Sequence, residues 1–102
     1  MNKNYAKGAS FETRFIGSLL KKGDAIKAGR FYASKGITDV WWVDKNGVHH
    51  EAQLKYSSMR KPYISPEELD VLKKHASEMS KYMKIWLVKK RAHEPVIMEM
   101  LS

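Results

Sequence analysis

Gly36-Ile37-Thr38-Asp39-Val40-Trp41-Trp42-Val43-Asp44-Lys45-Asn46-Gly47-Val48-His49-His50-Glu51-Ala52-Gln53-Leu54-Lys55 is the stretch whose reading decides the fold. Two apolar runs flank Asn46-Gly47, the strongest short-range hairpin signal. Side chains alternate along a strand, so Glu51, Gln53 and Lys55 share one side while Ala52, Leu54 and Tyr56 share the other. Whether Asp39 joins the polar set depends on register. A three-residue loop, Lys45-Asn46-Gly47 with Gly47 left-handed, pairs Asp44 with Val48 and sets Asp39 opposite Gln53 on the same face. A two-residue Asn46-Gly47 loop pairs Asp39 with Leu54 on the wrong face. The three-residue loop is favoured because it segregates the polar residues.

A carboxylate with neighbouring oxygen ligands suits Mg²⁺, a hard ion that keeps several waters. A metal there polarises a phosphoryl oxygen, and a nearby lysine can orient the attacking water or balance charge. The same alternation also describes the solvated face of a half-buried sheet.

Around this hairpin the chain reads as one α/β domain over residues 1–102. Ser10 to Lys22 predicts a helix with Phe11, Phe15, Ile16, Leu19 and Leu20 on one stripe and Glu12 near its middle. A carboxylate in that place calls for a partner or a metal, although a helix N-terminus also favours one. Residues 1–7 are polar and read as a flexible arm. Asp24 to Tyr32 predicts a strand, with Gly23 ending the helix. Ser65-Pro66-Glu67-Glu68 is a helix start, followed by a stripe of Leu69, Leu72, Ala76, Met79 and Met83 as far as about Tyr82. Lys84–Lys90 and Pro95–Met100 predict two last strands. The order αβββαββ implies a mixed five-stranded sheet flanked by helices.

Composition narrows the function. With 102 residues, 43% hydrophobic and 29% charged, the chain has the make-up of a small globular domain with a modest core. The absence of cysteine excludes disulfides and thiolate chemistry. The four histidines lack zinc-site spacing, since His49 and His50 point to opposite faces and His75 and His93 lie in other elements. There is no nucleophile elbow, phosphate loop or dinucleotide fingerprint, so no small-molecule cofactor is expected. No run approaches the roughly 20 apolar residues of a membrane span, and no signal-peptide core is present. The expected partner is therefore not a membrane, and the expected location is the cytoplasm. A net charge of +8 in short basic groups points to a polyanion. Arg60 and Lys61, beside a Pro and a Tyr, have the composition of a strand-contacting loop. A small domain without staples also gains from a partner subunit, which favours a homodimer.

Asp39 followed by Gln53-Leu54-Lys55 resembles the bipartite motif of the PD-(D/E)XK nuclease superfamily. More narrowly, the chain resembles archaeal-type Holliday junction resolvases and their viral relatives. Lys7-Gly8-Ala9-Ser10-Phe11-Glu12 is similar to that family's opening Lys-Gly-x-x-x-Glu, and Arg30, Ser34-Lys35-Gly36 and Asp39 follow in the family's order. The likeness covers most of the chain, and its weight lies in the ordered combination. Two positions depart: Gln53 stands where Glu or Asp is usual, and Thr38 precedes the Asp where Pro is common.

The resemblance implies a restriction-endonuclease-like core and a metal-dependent endonuclease that makes paired cuts in a four-way DNA junction as a homodimer, in a prokaryotic or virus-infected prokaryotic cell. It implies Mg²⁺, with Mn²⁺ as a substitute, on Asp39 and on Gln53 or Glu51, with the Leu54 carbonyl as a further ligand. Lys55 would position or activate water, and Glu12 would complete the metal site. Lys7, Arg30, Ser34 and Lys35 would hold the phosphate backbone. Two alternatives stay open: a related nuclease for nicked, flapped or duplex DNA, and a basic DNA-binding module in which Gln53 marks a lost metal site.

Overall fold

The computed structural model describes residues 3–31 and 37–102, with side chains from Ser10 onward. The elements follow the expected order: α1 (Lys3–Lys21), β1 (Lys27–Arg30), β2 (Val40–Val43), β3 (His49–Ser57), α2 (Pro66–Met79), β4 (Met83–Arg91) and β5 (Ile97–Met100). The five strands form one sheet in sequential order. β1–β2, β2–β3 and β4–β5 pair antiparallel, whereas β3–β4 is parallel. Parallel neighbours need a crossover, and α2 supplies it.

The hairpin takes the three-residue loop. The Asp44 N–H donates to the Val48 carbonyl at 3.0 Å and the Gly47 N–H to the Asp44 carbonyl at 2.9 Å. Gly47 sits at φ 81°, the left-handed conformation that glycine adopts without steric cost. Val40 faces Ala52 and Trp42 faces His50, so continuing the register sets Asp39 opposite Gln53.

Parity then assigns the two cores. Ala52 and Leu54 of β3 join Val40, Trp42 and Val88 against Phe11, Phe15 and Leu19 of α1. On the other face Ile85 and Leu87 of β4 pack against Leu72 and Ala76 of α2 and against Ile64. A sheet covered on both faces keeps its middle strands dry. Each fully buried Leu or Ile contributes about 1.5–3 kcal/mol relative to exposure, which Leu72, Ile85 and Val88 all realise.

Three boundaries differ from expectation. α1 begins at Lys3 and so takes in residues 3–7, whose polar composition had pointed to an arm. β1 is four residues long rather than nine; Ala25 is buried before it starts, and the Phe31 N–H bonds the Asp39 carbonyl just past its end. α2 stops at Met79, so Met83 belongs to β4 instead of the helical stripe, although it packs on the same core.

Trp42 is buried, as a core residue on the α1 face should be. Its ring stacks on His50 with centroids 4.8 Å apart and planes 1° from parallel. The Trp86 indole N–H donates to His50 Nδ1 at 2.9 Å, which requires the proton on Nε2, 2.9 Å from Asp44 Oδ2. That bond from His50 is the chief reason the half-buried Asp44 carboxyl lies below its usual range. Trp41 points to the opposite face and lies across Gly29, its partner on β1.

Candidate active site

Asp39 stands where β2 begins, and its backbone and side chain both join the ladder to β3. Its N–H donates to the Ala52 carbonyl at 2.8 Å, and its Oδ2 accepts the Leu54 N–H at 2.7 Å. The carboxylate thus serves as a partner that the strand's own backbone no longer provides, which fixes its direction. An extended residue presents N–H and C=O to the same side, so the Leu54 carbonyl faces the Asp39 side as well. Among the described residues, no other hydrogen bond reaches the Asp39 carboxylate. Desolvation raises the Asp39 pKa above the usual value. The Leu54 N–H and then the Lys55 ammonium pull it down, and the Glu68 carboxylate pushes it up.

Lys55, on the face of β3 that α2 covers, places Nζ 2.6 Å from Glu68 Oε2. Side-chain exposures of 23% and 51% make this a solvent-screened pair. Such pairs contribute about 0–1 kcal/mol to stability. Glu12 reaches the same end of the sheet from α1. Desolvation raises its pKa first, then the Asp39 charge, while Arg30 on β1 lowers it. Arg30 Nη1 lies 3.8 Å from Glu12 Oε2. Glu12 of α1, Arg30 of β1, Asp39 at the start of β2, Lys55 of β3 and Glu68 of α2 therefore interact around one end of the sheet.

Glu51 has a different engagement. Its Oε1 accepts the Thr38 hydroxyl at 2.7 Å and lies 3.1 Å from His75 Nε2 on α2. It ties the residue before Asp39 to the crossover helix. Gln53 lies opposite Asp39 and beside Leu87, half-buried on the α2 face. Arg60 and Lys61 are exposed in the β3–α2 connection, whose start is held by the Ser57 hydroxyl accepting the Arg60 N–H at 2.9 Å. The Lys7 side chain, Ser34 and Lys35 lie outside the described residues.

Glu68 is the residue that sequence reasoning missed. Its signal was present, since Glu at the third position of α2 closes a capping box with Ser65, but nothing local connects it to Lys55.

The donors suit a hard cation. Asp39 offers a carboxylate oxygen, Leu54 a carbonyl and Gln53 an amide oxygen. No three His, Cys, Asp or Glu side chains gather at metal-ligand spacing among the described residues.

No helix among the described residues is long and apolar enough to cross a membrane. No family model matches the chain, and no curated protein matches it. Among solved structures, the chain is similar to the 1.6 Å structure of Archaeoglobus fulgidus Hjc, a Holliday junction resolvase from an archaeal hyperthermophile. The two share 20% sequence identity with a TM-score of 0.71 over 93% of this chain and 73% of that one. The chain thus has the α/β fold of that structure, a mixed five-stranded sheet flanked by two helices, in line with its hairpin and element order.

Proposed function

We propose that this protein is a metal-dependent, structure-selective DNA endonuclease that resolves four-way junctions as a homodimer. The observation that carries this reading is the pairing of Asp39 and Lys55 on adjacent strands at the end of a resolvase-like sheet, where Glu12 and Arg30 join them. Asp39, the Leu54 carbonyl and Gln53 would hold Mg²⁺, which would supply a Lewis acid for the scissile phosphate and a more acidic water. The chain's own residues do the rest. Lys55 orients the attacking water and offsets charge on the phosphate. Arg30, whose guanidinium lies 3.8 Å from Glu12, takes a phosphate oxygen. Arg60 and Lys61 follow the DNA backbone beyond the cut. Contacts of this kind select shape over sequence.

Dimer formation is supported by the edge strand β5, which exposes Ile97, Met98 and Met100. An unpaired apolar edge is a natural surface for a second copy about a two-fold axis, and two sites so related suit paired incisions.

The test is Mg²⁺-dependent cleavage of a labelled four-way junction, with the same arms as linear duplex. Paired symmetric cuts in the junction alone are expected. Asp39→Ala and Lys55→Ala should each abolish cleavage while leaving junction binding largely intact, and full activity in either removes this site. Duplex cutting would keep the nuclease and change its substrate. Tight binding without cleavage under any divalent metal would favour the second reading, a DNA-binding module, for which Gln53 is the specific support.

A further inference from the structure

Lys55 carries a long side chain of four rotatable bonds, and β3 by itself fixes only where that chain begins. Its far end is set by Glu68. One Glu68 oxygen, Oε2, takes the Lys55 ammonium at 2.6 Å, and the other, Oε1, takes the Ser65 hydroxyl at 3.2 Å. The Ser65 hydroxyl in turn accepts the Glu68 N–H at 3.1 Å, with Pro66 at the helix start. Leu72 and Ala76 seat the helix on Ile85 and Leu87 of the neighbouring strand. The carboxylate is therefore held at both oxygens on an anchored element. With Gln53 neutral, it is the second carboxylate at Lys55, Asp39 being the first.

A capping box accounts for Ser65 and for the acidic residue three positions on, but not for the direction of Oε2. Nor does stability account for it, since a pair this exposed is screened by water. What the contact does change is where the ammonium sits.

We propose that Glu68 is a positioning residue, holding the Lys55 ammonium beside the Asp39 carboxylate at the place where the attacking water is oriented. Its effect on rate rests on the nuclease reading above; its effect on Lys55 does not.

Glu68→Gln isolates the charge, because Gln also closes a capping box. Two quantities are read in the full-length protein: the relaxation of the Lys55 ε-methylene by NMR, and the single-turnover rate on a labelled junction with Mg²⁺ beside the junction Kd. In the wild type the Lys55 ε-methylene should be ordered, and in Glu68→Gln it should become mobile. Amide shifts beyond the first turn of α2 should stay unchanged. The cleavage rate should fall roughly 10–100-fold, the scale of a misplaced catalytic group, with the junction Kd within about twofold. Glu68→Ala should match Glu68→Gln in rate while also loosening the cap. An unchanged rate in Glu68→Gln, or a Lys55 side chain equally ordered in both proteins, overturns the proposal. Where the wild type cuts no DNA, the nuclease reading fails and Lys55 mobility alone decides whether Glu68 positions it.

Discussion

Asp39 and Glu12 are carboxylates that the fold makes costly to charge. Burial is the first cause in each, and neighbouring acids add to it. A carboxyl whose folded pKa is raised contributes stability that is complete below the ordinary carboxylate range and is lost as pH rises through the raised value. Charged Asp39 is thus a burden at neutral pH. Asp39→Asn keeps an oxygen for the Leu54 N–H and should raise the melting temperature at pH 7. The gain should vanish near pH 3, where both forms are neutral, and thermal melts at the two values check it. Added Mg²⁺ should stabilise the wild type and not the variant. Gln53→Glu should be tolerated or should tighten metal binding, measured by calorimetry; a large loss would remove Gln53 from the ligand set. At this scale the sequence was informative wherever chemistry followed parity. The pairing of Asp39 with Gln53 and Lys55 needed only the turn type. Glu51 has the same parity, yet its engagement with Thr38 and His75 depends on where α2 docks, which no strand pattern encodes.

At the scale of elements, glycine separates packing from propensity. A Cβ on Gly29 would lie 2.8 Å from Cζ2 of the Trp41 ring, whereas one on Gly17 meets nothing within 4 Å. Gly29→Ala should displace Trp41 and cost about 1–3 kcal/mol, the usual scale of overpacking. Gly17→Ala, inside α1, should add about 0.5–1 kcal/mol through helix propensity alone. Urea midpoints of the two variants measure both. The helix starting at Ser65-Pro66 and the β4–β5 pair were legible because caps, proline and apolar runs are local signals. The short β1 was not: Gly29 could be read as a weak or bulged position, but its use as a bed for an indole comes from the partner strand. The early start of α1 was likewise hidden, since residues 3–7 carry no apolar stripe.

Over the whole molecule, the +8 charge suits a polyanion. Each phosphate neutralised on duplex DNA contributes about −0.9 to the slope of log affinity against log salt. Arg60→Ala with Lys61→Ala should therefore flatten that slope by about 2 on junction DNA, read by fluorescence anisotropy across a salt series. An unchanged slope would place the DNA elsewhere on the surface. The parallel β3–β4 pair was legible only at this scale: it follows from the mixed sheet that the order αβββαββ implies, with α2 as its crossover.

Asp39 and Lys55 belong to one hairpin whose strands close over a tight loop, so little chain entropy is lost in bringing them together. Glu12 and Glu68 come from α1 and α2, so their places depend on those helices staying docked on the sheet. Fraying of either helix would then leave the Asp–Lys pair standing while releasing the carboxylates beside it. Loosening at the flanks would thus undo the cluster of charges while the sheet itself stays whole.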